Sequence, residues 1–284
     1  MNELTLAFAG CRVRVNGLLP TQTTVLRTRL EDLAVREEGE PDAEVDVHFT
    51  PSPEGFMRRP RGATETRIGL IHHPSHVAAA GIGFRASVER RPVRAQLHTC
   101  LNDARFASAF DNVLRIVASY LLFDRGGLVL HSAAITEGEL SFLFCGRSGA
   151  GKTTLCSLAH ELEIDVWSDE LNAVIPFGDG FALQDLPFVG DVGQVARARL
   201  PSPLTAVFDL EHGTEPSLRE CSKAEAVSRI VASCPYLNTD PAREDELNRR
   251  AERLVDAASF RVLTFAKRTN FWSVLTREYG ALGS

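Results

Sequence analysis

Cysteine is sparse and scattered in this sequence of 284 residues. The six cysteines show no C-x-x-C spacing, and most of them lie within apolar runs. Zinc sites and disulfide frameworks need closely spaced or paired cysteines, whereas an isolated cysteine in an apolar run behaves as a small hydrophobic residue. The pattern therefore predicts reduced thiols and a cytoplasmic protein. The six positions are Cys11, Cys100, Cys145, Cys156, Cys221 and Cys234.

An excess of positive charge is also absent. The sequence has 31 lysines and arginines against 37 aspartates and glutamates, which gives a formal net charge of −6. Proteins that bind nucleic acid or an acidic membrane surface usually carry a positive field. We therefore expect neither nucleic acid nor a membrane as a partner.

Long apolar runs are missing as well. No stretch of 18 apolar residues occurs, and a membrane-spanning helix is therefore not expected. The segment MNELTLAFAGCRVRVNG has no basic region followed by an apolar run and a cleavage site. We interpret it as a β-strand and not as a signal peptide.

Short segments of alternating apolar and polar residues occupy residues 1–104. This alternation is typical of strands that bury one face and expose the other. The sequence therefore predicts a mostly antiparallel β region here, as a first domain with an accessory or substrate-binding role. The segments are LTLAF, CRVRV, VDVHF, TRIGLI, HVAAA and FRASVE.

The hydrophobic period changes at about residue 105. In RFASAFDNVLRIVASYLLF the apolar residues recur at helical spacing, which predicts a packed helix of roughly 18 residues. Strands and helices follow in turn, so we predict an α/β second domain over residues 105–284. The predicted strands are LVLHSAAI, LSFLFC, DVWSDELNAVI, LTAVFDLE and RVLTFA, and the predicted helix starts are Lys152, Ser222, Asp240-Pro241 and Asn270.

Residues 146–154, GRSGAGKTT, fit the phosphate-loop pattern G-x-x-x-x-G-K-[ST]. An apolar strand enters this segment and an amphipathic helix leaves it, which is the context that the motif requires. Glycines allow backbone N–H groups to converge on phosphates, and the helix N-terminus adds positive charge. The motif predicts that Lys152 reaches the β- and γ-phosphates and that the Thr153 hydroxyl binds Mg²⁺. The predicted nucleotide contacts are Gly146, Ser148, Gly149, Ala150, Gly151, Lys152, Thr153 and Thr154.

The acidic pair Asp169-Glu170 follows Thr153 after one helix and one strand. Phosphoryl transfer to a hydroxyl needs a carboxylate for the metal and a base for the proton, and this position places both acids near the loop. An ordinary Walker B aspartate follows four apolar residues, whereas Asp169 follows IDVWS. A solvated acid at a strand end is the alternative. Only one of the two acids is required to face the metal, since side chains alternate along a strand.

Three other candidates have weaker signals. His131, in LVLHSAAI, either lies buried in the core or faces the loop, where it would orient Asp169. Arg197 and Arg199, in QVARARL, are candidates for a cation near the transferred phosphate, or are surface arginines of a loop. The preceding segment DLPFVGDVG is the candidate acceptor-binding loop.

The runs GGLVLHSAAI, FLFCGRSGAGKTTL and VWSDEL together resemble the C-terminal domain of HPr serine kinase/phosphorylase and its relatives. These relatives include enzymes encoded beside lasso-peptide precursors, and their core is shared with ATP-type phosphoenolpyruvate carboxykinases. The resemblance covers about residues 106–275. It implies a P-loop kinase core of that type, which uses ATP and Mg²⁺. Because the founding members of the family are oligomers, the resemblance also implies that this protein forms a homo-oligomer.

The resemblance also implies roles for individual residues. The family's first aspartate is the base for a serine hydroxyl, its second helps to hold Mg²⁺, and a histidine supports the first; these roles fall to Asp169, Glu170 and His131. Two positions depart from the family, which has Asp where Glu170 stands and usually Ser where Thr153 stands. Residues 1–104 resemble the variable N-terminal part of the lasso-type relatives, in which the acceptor is a peptide or another gene-cluster product.

These observations predict an ATP- and Mg²⁺-dependent kinase that phosphorylates a hydroxyl group of a peptide or protein, with serine as the first candidate for the acceptor residue. One alternative keeps this chemistry and transfers the phosphoryl group to a small metabolite, because fold does not determine the acceptor. Another is a nucleotide-binding switch with little transfer activity, which the altered acid pair motivates.

Overall fold

The computed structural model describes residues 3–35, 39–58, 68–188, 190–192 and 200–280. In these residues the chain forms two large mixed β-sheets and six α-helices, a mixed α/β architecture. The chain divides into two compact units, residues 1–121 and 122–284. The division falls within the helix Arg105–Asp124, near its C-terminal end, whereas the boundary predicted from the sequence precedes this helix.

The first unit contains an eight-stranded sheet with the order β3-β1-β2-β4-β8-β7-β6-β5. Buried and less buried residues alternate along its strands, because one face of the sheet carries the core. The strands are β1 (Leu4–Phe8), β2 (Cys11–Asn16), β3 (Ala34–Val35), β4 (Ala43–Phe49), β5 (Gly69–His72), β6 (His76–Gly81), β7 (Phe84–Arg90) and β8 (Val93–Thr99).

Most neighbouring strands of this sheet are antiparallel, but β4 is parallel to both β2 and β8. A parallel neighbour requires a crossover, and the helix α1 (Pro20–Arg29) lies in the connection from β2 to β4. The sequence PTQTTVLRTR of α1 buries only Gln22 and Leu26 and lacks a helical apolar period. For this reason the sequence did not predict α1.

The helix α2 (Arg105–Asp124) is where its apolar period predicts it. The sequence analysis expected no membrane-spanning helix, and among the described residues this 20-residue helix is one candidate by length and composition alone. A strict count of consecutive apolar residues misses it, since polar residues interrupt the run. In the structure 83% of its apolar window is buried, which is the behaviour of a core helix.

The second unit is built around a sheet with the order β14-β13-β12-β9-β10-β15-β17-β16, and β11 also pairs with β9. At its centre β10 is antiparallel to β9 and parallel to β15. The strands are β9 (Leu128–Glu137), β10 (Leu140–Cys145), β11 (Asp165–Ser168), β12 (Leu171–Phe177), β13 (Gly180–Gln184), β14 (Ser202–Pro203), β15 (Ala206–His212), β16 (Ser217–Arg219) and β17 (Ser259–Phe265). The helices are α3 (Lys152–Glu161), α4 (Lys223–Ala232), α5 (Glu244–Ala257) and α6 (Phe271–Tyr279).

The helices α3 and α6 pack on this sheet around one aromatic cluster. Phe142 and Phe144 of β10 contact Phe208 of β15, with ring centroids 5.8 and 5.2 Å apart. Leu155 of α3 and Leu275 of α6 are fully buried in the same cluster. This packing holds the C-terminal end of β10 and the N-terminal end of α3 against each other.

Three local predictions need correction. The segment DVWSDELNAVI forms two strands, β11 and β12, which both pair with β9 and are separated by Asp169-Glu170. The register shifts between Val166 and Ser168, and this bulge ends β11 before the acidic pair. The helix predicted at Asp240 begins at Glu244, after a turn in which Asp240 accepts a hydrogen bond from the Ala242 N–H (3.1 Å).

The third correction concerns Asn270. It occupies the N-cap position of α6 as predicted, but its side chain makes no capping hydrogen bond. Its backbone has helical dihedral angles, φ −66° and ψ −9°, instead of the extended ones of a capping residue. In contrast, Ser222 caps α4 as predicted, because its hydroxyl accepts from the Glu225 N–H (3.2 Å).

Candidate nucleotide-binding site

The segment Gly146–Gly151 connects the C-terminal end of β10 to α3 through a tight loop. Gly146, Gly149 and Gly151 have φ values of 151°, 81° and 102°, in the region that side chains disfavour. A Cβ on Gly151 would lie 2.7 Å from the Phe265 ring. The loop therefore has the glycine-dependent curvature that brings backbone N–H groups together around an anion.

Lys152, the first residue of α3, is directed into the curve of this loop. Its side chain is almost fully buried, and its Nζ donates to the carbonyls of Gly146 (2.8 Å) and Arg147 (3.5 Å). Burial lowers the pKa of Lys152, while the nearby Cys145 and Asp169 partly oppose this shift. The positive charge is thus held at the place where the loop would hold phosphates.

The other predicted contacts lie around the same turn. Ser148 and Gly149 are exposed at the tip of the loop, and Ala150 donates its N–H to the Arg147 carbonyl (2.9 Å). Thr153 is exposed and Thr154 is half-buried in the first turn of α3. Polar groups of the loop tip and of the helix N-terminus therefore share one surface.

Asp169 lies just after β11 and is buried with only 6% exposure. Its Oδ1 accepts a hydrogen bond from the Val192 N–H (3.2 Å), and its charge raises the pKa of Lys152. A Cβ on Gly190 would overlap the Asp169 carboxylate, so the chain passes close over it. The structure therefore brings Asp169 and Lys152 together, beneath part of the predicted acceptor-binding loop.

Glu170 has a different environment from its neighbour. Its N–H donates to the Ser168 hydroxyl (3.1 Å) and its carbonyl accepts from the Ser132 N–H (3.1 Å), which continues the pairing with β9. Its side chain is half-buried. Because Asp169 and Glu170 are adjacent in an extended segment, their side chains leave the backbone in different directions.

His131 lies on β9, paired with Leu171 two residues beyond Asp169. Its side chain is exposed, so it is not the buried core histidine that the sequence also allowed. Its N–H donates to the Ser233 carbonyl (2.7 Å), which links β9 to the end of α4. Arg197 and Arg199, the other weak candidates, lie outside the residues that the structure describes.

A cavity of about 740 Å³ opens beside the phosphate loop. Its walls are residues 146–150 of the loop, residues 209–212 at the end of β15, the C-terminal half of α4 and His131. Cavities of this size accommodate ligands as large as nucleotides. The loop therefore forms one wall of a space that can hold the rest of a nucleotide.

Asp209 is a site residue that the sequence analysis missed. It lies on β15, where it is the register partner of Cys145, the residue directly before the loop. The residue is buried and borders the cavity. The apolar residues Ala206, Val207 and Phe208 precede it, and this Walker-B-like run is the signal that could have identified it from sequence.

Arg229 covers Asp209 from α4. One of its terminal nitrogens binds the Asp209 carboxylate, and the other lies 3.1 Å from Glu211 Oε1 and 2.8 Å from Glu225 Oε1. Arg229 and Asp209 both border the cavity. The site therefore contains an arginine that no motif in the sequence indicated.

His212 supports the loop from the end of β15. Its Nε2 lies 2.8 Å from the Gly149 carbonyl, and its ring stacks on Phe265 at 6.4 Å. Phe265 is also the residue that leaves no room for a side chain at Gly151. His212 and Phe265 thus form a platform that fixes the curvature of the loop.

The oxygen donors around the loop suit Mg²⁺. They are the Thr153 hydroxyl and the carboxylates of Asp169 and Asp209, all hard ligands. Among the described residues no three His, Cys, Asp or Glu side chains converge as a ready metal cage. Magnesium at nucleotide sites usually takes one or two carboxylates and completes its shell with phosphates and water, so this donor set fits.

Comparison of the sequence with models of known protein families gives no match, and a search of curated proteins gives no significant match either.

Proposed function

We propose that this protein is an ATP- and Mg²⁺-dependent kinase that transfers the γ-phosphoryl group to a hydroxyl group of a peptide or protein. The preferred acceptor in this proposal is a serine hydroxyl. The proposal rests on one observation: Asp169 is buried and near enough for its charge to act on Lys152, the residue that follows a glycine-dependent loop. The proposed core is a P-loop kinase core of the HPr kinase and phosphoenolpyruvate carboxykinase type.

The residues of the loop divide the work of binding. The N–H groups of residues 146–151 and the Lys152 ammonium hold the β- and γ-phosphates, and the Thr153 hydroxyl and the carboxylates provide metal ligands. Mg²⁺, when bound, neutralises charge on the phosphates. Glu170 keeps the metal role that the family resemblance implies.

Asp169 accepts the proton of the attacking hydroxyl. A base must reach this proton within hydrogen-bonding distance, and a carboxylate is a group that can accept it. Residues 190–192 lie over Asp169, so the acceptor approaches through a covered position that keeps water away. This cover favours transfer to a bound hydroxyl over hydrolysis. His131, which is paired with Leu171 beyond the acids, orients Asp169 in this scheme.

We propose a cytoplasmic protein without nucleic-acid or membrane partners, which assembles as a homo-oligomer as the resemblance implies. The acceptor is a peptide, a protein or a small molecule, and residues 1–104 contribute to its binding.

The substitution Asp169→Asn tests the proposal. It keeps the size and the hydrogen bond to Val192 but removes the base, so we expect ATP binding within about threefold of the wild type and transfer lowered by about 10²- to 10⁴-fold. Labelled ATP with peptides, proteins and extract fractions provides the transfer assay, and calorimetry measures binding. The matched control is Asp165→Asn, on the exposed beginning of β11, which should leave both values unchanged.

Two results would contradict the proposal. One is that the wild type phosphorylates no peptide, protein or metabolite in any fraction. The other is that Asp169→Asn transfers as well as the wild type. If ATP binds but no transfer occurs, the nucleotide-dependent switch is the better description.

A further inference from the structure

Arg229 shares its guanidinium group between two sets of carboxylates. One nitrogen binds Asp209, which lies on the strand next to β10. The other binds Glu211 and Glu225, at 3.1 and 2.8 Å. The arginine therefore has one contact at the mouth of the phosphate loop and two contacts further out.

The two contacts differ in their surroundings. The Asp209 side chain is 12% exposed and borders the cavity, whereas those of Glu211 and Glu225 are 42% and 34% exposed. Glu225 lies one helical turn before Arg229 on α4, so this pair moves as a unit. The outer nitrogen is thus tethered within its own helix, and the inner one is bound to a different element.

Asp209 is a carboxylate at the loop that has to be neutralised whether or not a nucleotide is bound. Arg229 provides this charge, and a partly buried acid without a partner would be unfavourable. A guanidinium also binds phosphate oxygens with the same fork that it uses for carboxylates. The nitrogen of Arg229 that binds Asp209 can therefore bind either Asp209 or a phosphate oxygen. The contacts of the other nitrogen with Glu211 and Glu225 hold the side chain in place for both.

We propose that Arg229 recognises the terminal phosphate of the nucleotide. On ATP binding it exchanges its hydrogen bond with Asp209 for one with the γ-phosphate, while Glu225 and Glu211 hold its outer nitrogen in place. Asp209 is then free to act as a metal ligand. This inference rests on the proposed function, and it assigns the phosphate-binding cation to α4 instead of to Arg197 or Arg199.

The experiment compares ATP and ADP affinities, which need no acceptor. The wild type with Mg²⁺ should prefer ATP over ADP by about tenfold or more, since one charge-assisted bond to phosphate has about this effect. Arg229→Gln should reduce the preference to about twofold or less. Calorimetry of the full chain measures both affinities.

Two further variants separate recognition from general charge and from folding. Arg219→Gln is the matched control, because Arg219 contacts Glu211 (3.5 Å) and Glu225 (3.3 Å) without contacting Asp209, and it should keep the wild-type preference. Arg229→Lys keeps a cation beside Asp209 and should remain folded, as thermal melting would show, but it lacks the fork and should lose most of the preference.

The outcomes are distinct. Equal ATP preference in wild type, Arg229→Lys and Arg229→Gln overturns this inference and leaves the kinase proposal intact. If Arg219→Gln loses the preference for ATP as Arg229→Gln does, the inference is also overturned, because the whole charge network would then determine the preference. Failure of the wild type to bind either nucleotide rejects the proposed function and this inference together.

Discussion

The conformation of the phosphate loop at position 151 requires a residue without a Cβ atom. Its φ of 102° disfavours any side chain, and a Cβ would meet the Phe265 ring at 2.7 Å. We expect Gly151→Ala to weaken ATP binding by at least about tenfold, because the loop must shift away from the platform of Phe265 and His212. Calorimetric titration of the variant with ATP measures this loss.

Gly178 provides the matched control. It also has a positive φ, 55°, but a Cβ there would have nothing within 4 Å. Gly178→Ala should therefore cost about 1–2 kcal/mol in stability from backbone strain and leave ATP affinity unchanged. Equal ATP affinities in the two variants would show that the crowding at Gly151 does not matter for binding.

The buried thiol of Cys145 makes stability depend on alkaline pH. Burial raises the pKa of Cys145 from 9.0 to about 11. The folded chain therefore keeps this proton where the unfolded chain has lost it, and the resulting stability is complete below pH 9 and disappears between pH 9 and about 11. Cys145→Ala should show a smaller fall in unfolding free energy over this range than the wild type.

Denaturant unfolding at several pH values between 8 and 11 checks this prediction about Cys145. Cys100→Ala, at a half-buried position, is the control for loss of a thiol. The comparison with wild type is needed because burial also lowers the pKa of Lys152, and a lowered lysine pKa stabilises the folded chain as the pH rises, which opposes the effect. Identical pH slopes in wild type and Cys145→Ala would contradict the expected role of burial.

The sequence predicted the positions of some residues at the candidate site better than those of others. Lys152 and Thr153 belong to one contiguous motif, so their place at the helix N-terminus follows from local spacing. Asp209 and Arg229 are 20 residues apart in sequence, and only pairing of β15 with β10 and packing of α4 bring them to the loop. No local pattern could have joined Arg229 to this loop.

At the scale of one element, α4 begins at a side-chain cap. The Ser222 hydroxyl accepts from the Glu225 N–H at 3.2 Å. Ser222→Ala should lower the unfolding free energy by about 1 kcal/mol, because a helix N–H then loses its partner. Ser222→Asp keeps an acceptor and should restore most of the loss, as thermal or denaturant unfolding can measure. A neutral effect of Ser222→Ala would indicate that water replaces the cap.

Elements were predicted where their hydrophobic period is strong. The helix α2 and the strands β9 and β10 carry long apolar patterns, and the structure contains them. The helix α1 buries too few apolar residues to show a period, and its buried Gln22 donates to the distant Leu101 carbonyl. The break between β11 and β12 could not be predicted from the sequence either, because the bulge at Trp167 depends on pairing with β9.

For the molecule as a whole, the burial of α2 predicts how the protein fractionates. Most of the helix is already covered by protein, since 83% of its apolar window is buried, so it has little apolar surface to offer to lipid. After expression, carbonate extraction and ultracentrifugation, we expect the protein in the supernatant. Recovery in the membrane pellet after this treatment would contradict the core-helix interpretation.

The sequence by itself determined the glycine-rich loop at residues 146–151, the helix after it and the position of the acidic pair, because these depend on neighbours along the chain. The tertiary structure decided which acids lie at the loop. It buried Asp169 beside Lys152, gave Glu170 different surroundings, and added Asp209, Arg229 and His212 from distant segments. The physical reason is that strand pairing and helix packing set the distances between residues far apart in sequence, and a local pattern such as the apolar run before Asp209 does not encode these distances.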